Sequence, residues 1–116
     1  MDLSDYVSPG IEPFAQGSVK GHVFPNLVII DARIRIDREH PDLPDRLLMS
    51  LPADGAAGDL RPLAATPPVT GWCQDTPVPV LAFSDMVNIP GWAGWTLATL
   101  PAGNLGVTII YERRPQ

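Results

Sequence analysis

The chain carries one cysteine, two histidines and a single lysine, so groups able to act as nucleophile or general base are few. Cys73 would need an imidazole, His22 or His40, holding it as a thiolate in a cleft. Its local run, Trp72-Cys73-Gln74-Asp75, matches no thiol-enzyme signature. A lone cysteine is most often a small buried hydrophobe. No catalytic residue is assigned, and the chain is read as non-enzymatic.

Asp37, Glu39, His40, Asp42 and Asp45 cluster in one turn and supply hard ligands of the kind Ca²⁺ takes. The glycine and the regular spacing of a calcium loop are missing, and Pro41 and Pro44 restrict convergence. Arg38 and Arg46 offer these carboxylates ordinary partners, so the reading is a solvated acidic turn. Gly55-Ala56-Ala57-Gly58 precedes no helix and no Lys-Ser pair, which discards a phosphate loop. No metal or cofactor is expected.

The three tryptophans, Trp72, Trp92 and Trp95, lie close together in sequence. Exposed flat rings anchor protein interfaces and stack on sugar faces. Trp95 falls on the inward phase of an alternating run and is assigned to the core. Trp92, in the turn Pro90-Gly91-Trp92-Ala93-Gly94, is the ring expected at a surface. With Trp72, and with Tyr6 and Phe14 from the N-terminal stretch, it makes up the candidate interaction surface.

Eight basic residues against thirteen acidic ones give a formal charge of −5. That balance works against nucleic-acid binding, which depends on Lys and Arg neutralising phosphates. Arg33, Arg35 and Arg38 alternate with Asp31, Asp37 and Glu39 and read as a mixed, solvated strand face. No apolar run approaches the length of a membrane helix, and the opening residues carry no secretory pattern. A soluble chain without membrane insertion is expected, its compartment open.

The elements that must position these residues follow from proline. With 14 prolines and 10 glycines spread along 116 residues, long helices are interrupted everywhere. From Leu27 to Asp37, Val28, Ile30, Ala32, Ile34 and Ile36 fall on one face, with Ile29, Asp31, Arg33 and Arg35 on the other. This period of two predicts a long half-buried strand in an antiparallel sheet. Further strands are expected at Arg46–Leu51, Val78–Ser84, Trp95–Leu100 and Leu105–Arg113, the last two closing a hairpin through Pro101-Ala102-Gly103-Asn104. Residues 53–76 show no convincing period, which leaves a long loop or a short element hidden in it.

The expected fold is all-β, a small antiparallel sandwich (immunoglobulin-like or jelly-roll-like) or an open barrel, with long Pro/Gly-rich loops. Residues 1–25 read as an extended N-terminal arm, and residues 26–116 as the domain. The expected function is that of a structural or binding subunit of a larger protein assembly, of the virion accessory, filament or surface-layer type. It would act through its arm, the 53–76 loop and its sheet edges, on protein partners or copies of itself. The alternatives are a carbohydrate-binding module using exposed tryptophan and a small acidic inhibitor of another protein.

Overall fold

A computed structural model describes all 116 residues. Eight strands, all paired antiparallel, carry the fold: β1 (Ile11–Pro13), β2 (Val19–Val23), β3 (Leu27–Ile36), β4 (Leu47–Ser50), β5 (Val69–Cys73), β6 (Thr76–Phe83), β7 (Met86–Asn88) and β8 (Asn104–Glu112). Three single turns of 3-10 helix are the only helical pieces, and none of them is long and apolar enough to cross a membrane. The strands form one hydrogen-bonded path in the order β1-β3-β8-β5-β6-β7-β4, with β2 beside β1 on the same edge of β3. The all-β, antiparallel expectation holds, and the sheet curls nearly into a barrel.

The long central strand is where the period of two placed it. Val28, Ile30, Ala32, Ile34 and Ile36 are buried, and Arg33 and Arg35 are exposed. β8 repeats the pattern, with Leu105, Val107, Ile109 and Tyr111 inward and Thr108, Ile110 and Glu112 outward. The two strands pair over nine positions, from Leu27 opposite Glu112 to Arg35 opposite Asn104. This pair is the spine of the fold.

The run Trp95–Leu100 is not a strand. Leu97–Thr99 is a 3-10 turn closed by a reciprocal cap between Thr96 and Thr99, which hydrogen-bond each other's backbone and side chain. Hydroxyl side chains three residues apart favour this local closure over a ladder. No hairpin therefore joins residues 95–100 to β8, whose partners are β3 and β5. Trp95 packs half-buried against the core from outside the sheet. The 53–76 stretch does hide an element: β5 sits at its end, too short and too broken by Gly71 to show its period.

Residues 1–25 lie on the protein's own sheet, running as short strands interrupted by the 3-10 turn Ser4–Tyr6 and by turns at residues 9–10 and 14–17. They supply β1 and β2, and Leu3, Ile11 and Val19 join the single core of 25 buried residues. The first eight residues span the gap that would otherwise keep the barrel open. Leu3 donates to the Val19 carbonyl and Gly21 to the Met1 carbonyl on the free edge of β2. Ser8 then donates to the Leu48 carbonyl, and Val7 bridges to Met49, on the free edge of β4.

The 53–67 segment is likewise held down, by the C-terminal residues. Leu60 is fully buried, and the Tyr111 hydroxyl donates to its carbonyl at 2.5 Å. The buried Arg113 guanidinium donates to the carbonyls of Ala57, Asp59 and Phe24 at 2.8–3.0 Å. A buried cation with three carbonyl partners keeps its donors satisfied.

Candidate functional site

Cys73, on the inward phase of β5, is fully buried, and its thiol donates to the Ala102 carbonyl at 3.3 Å. Neither histidine hydrogen-bonds it: His22 is exposed on β2, and His40 accepts the Asp42 N–H in its own turn. In the acidic turn, Asp37 accepts the Glu39 N–H, and Arg38 reaches away to the Leu100 carbonyl. No group of three or more His, Cys, Asp or Glu side chains converges on a point that could hold a metal.

The four candidate surface residues separate. Tyr6 packs half-buried against the core in the closing segment, and Trp92 projects alone from the Gly91–Ala93 turn, 70% exposed. Phe14 and Trp72 come together across the sheet. Arg33 pairs with Gly106 on β8, Gly106 with Trp72 on β5, and Trp72 with Pro77 on β6. Phe14, just past β1, extends the row by donating its N–H to the Arg33 carbonyl at 2.9 Å. The outer face therefore carries a cross-strand row Phe14, Arg33, Gly106, Trp72, in which the third member has no side chain.

That gap is the floor of a groove of about 330 Å³. Phe14 and Trp72, each about half exposed, stand on either side of it with Arg33. Gln74 and Asn104 close one end. Gln74 occupies the β5–β6 turn with φ +55°, a left-handed conformation uncommon for a residue other than glycine. Arg35, next along β3, lies 5.2 Å above the Phe14 ring, donates to the Phe14 carbonyl and faces Glu12 at 3.5 Å. The Arg33 guanidinium makes no hydrogen bond or ion pair within the chain, and the Asn104 Oδ1 is buried without a donor.

Two rows further along the same face the chemistry changes. Asp31 accepts a hydrogen bond from Thr108 at 3.3 Å, and beyond them Ile29 stands opposite Ile110. Ile110 is 56% exposed in mid-strand, and Leu63, 51% exposed, lies across a hollow of about 260 Å³ floored by Ala64, Ala65 and Pro67. The hollow exists because β5 and β8 share a single ladder pair, Trp72 with Gly106, before they diverge. Residues 63–67 fill the strand's place, with Leu63 donating to the Glu112 carbonyl and Thr66 to that of Ala82.

Sequence reasoning named Phe14 and Trp72 and missed Arg33, Gly106, Gln74 and Asn104. A glycine on the outward phase of a strand is a readable sign of close approach, whereas the pairing of β8 with β5 is written in no local pattern. No protein-family model, curated protein or solved structure matches the chain.

Proposed function

We propose that the protein is a non-enzymatic subunit of a larger protein assembly, working by contact and first of all with copies of itself. Its frame serves as a small rigid sandwich of the immunoglobulin-like or jelly-roll-like kind. The N-terminal residues and the 53–67 segment are committed to the fold, so the contact falls on the outer face of β3 and β8. The observation that carries this reading is Ile110, more than half exposed within the longest ladder, at its third pair from one end, and flanked by Ile29 and Leu63.

An apolar side chain in mid-strand is costly to leave in water, and a patch of them marks a site that another surface covers. Charge favours the same place. A chain of net charge −5 repels its own copies, and along this face the charged Arg35, Arg33 and Asp31 give way to Ile29, Ile110 and Leu63, with Glu112 the one charged residue lining the hollow. The test is Ile110→Asp in the full chain, read by sedimentation and thermal unfolding together. Loss of association with unchanged unfolding supports the reading, and association identical to wild type overturns it.

A further inference from the structure

The groove over Gly106 has features that neither the fold nor self-association accounts for. Glycine in a strand interior costs backbone entropy and packs nothing. At Gly106 the fold does not demand it. The backbone there has no positive φ, and an added Cβ would meet only the Arg33 Cγ, at an ordinary 3.5 Å. The missing side chain opens the space between Arg33 and Trp72, and a bare strand backbone is what a close-lying ligand needs.

The groups around that space specify a chemistry. Trp72 offers an exposed flat face, suited to the C–H face of a pyranose ring. Asn104 lines the groove with a side-chain amide, although its Oδ1 is itself closed to solvent. Gln74, in the left-handed turn between β5 and β6, adds a second amide to the lining. Arg33 is the only charged residue lining the groove, unpaired within the chain, with the planar fork that binds a carboxylate through two hydrogen bonds. The nearest carboxylate along β3, Asp31, accepts from Thr108. A volume of about 330 Å³ is at the small end of ligand sites, the scale of one or two sugar rings.

We propose that this groove binds a carboxylate-bearing sugar, its ring stacked on Trp72 above Gly106, its carboxylate on Arg33 and its hydroxyls toward the amide-lined end at Gln74 and Asn104. The site lies about 13 Å along the strand from Ile110, four residues away, and stands independently of the assembly reading.

The test uses the full chain, isotopically labelled, titrated with glucuronate and separately with glucose, whose ring is the same without the carboxylate. Glucuronate at millimolar concentration is expected to shift the backbone amides of Leu105 and Gly106 and the Trp72 indole N–H saturably, with glucose markedly weaker. Arg33→Met, at an exposed position, should weaken binding about tenfold or more. Gly106→Val should abolish it while the melting temperature stays equal or rises. Equal shifts from glucose, shifts centred on Trp92, no shift from either sugar, or a Gly106→Val protein that is less stable than wild type would each overturn the proposal.

Discussion

The N–H of Leu3 donates to the carbonyl of Val19 at 3.0 Å, and both side chains are fully buried. Five residues after Leu3 the same chain donates from Ser8 to Leu48 on the opposite edge of the sheet. A segment of eight residues therefore pairs with β2 at one edge of the sheet and with β4 at the other. Leu3→Ala should cost about 2–5 kcal/mol, the range for emptying a well-packed leucine site. Removal of residues 1–8 should cost cooperativity as well as stability, because two sheet edges lose their cover at once. Urea unfolding followed by tryptophan fluorescence measures both effects, and a cooperative, near-wild-type transition for the truncated chain would contradict the closing role.

Tyr111 and Leu60 hold the long loop against the last strand. Tyr111→Phe leaves a buried carbonyl without its donor and should cost about 1–3 kcal/mol. Burial, the largest influence, raises the Tyr111 phenol well above its ordinary value. A folded-state pKa above the unfolded one contributes stability that is fully present below the unfolded pKa and is lost as pH rises toward the folded one. Wild type should accordingly lose stability in alkaline solution beyond the ordinary tyrosine pKa of about 10, and Tyr111→Phe should be flatter there. Denaturant titrations at stepped alkaline pH check this.

Arg113 ties Phe24, Ala57 and Asp59 through three carbonyls. Arg113→Met keeps much of the stem and removes every donor, with an expected loss of about 3 kcal/mol or more. Amide exchange should speed first in residues 57–62, while the β3–β8 ladder keeps its protection.

Asp59 and Arg61 form a two-pronged pair, at 3.0 Å to one carboxylate oxygen and 2.9 Å to the other. The Arg61 side chain, ahead of the opposing effect of burial, holds the Asp59 carboxyl below its usual range. A depressed folded-state pKa contributes stability present above the unfolded carboxylate value and lost as pH falls through the folded one. The pair is partly solvated, so Asp59→Asn should cost less than about 1 kcal/mol at neutral pH. That difference should shrink on acidification, which paired acid titrations of the two proteins measure.

What could be read ahead of the structure divides by range of interaction. The alternation in residues 27–37 and 105–113 is a local consequence of one buried face, and both strands fall where it puts them. Thr96 and Thr99 misled because a short run such as Trp95–Leu100 alternates equally well in a turn whose hydroxyls cap it. β5 escaped notice since Gly71 occupies one of its three inward positions. Trp72 and Phe14 could be named as exposed aromatics, yet their place along one groove depends on ladder pairs between residues far apart in the chain. The closing role of residues 1–8 was hidden for the same reason, as no local pattern records which edges they join.

The claim that this chain works by contact with its own copies is tested most directly by the mass of the full native protein, measured by light scattering across a dilution series. A multiple of 12.5 kDa that falls toward the single-chain value on dilution is the expected result. A mass of 12.5 kDa at every concentration, up to the limit of solubility, would contradict it.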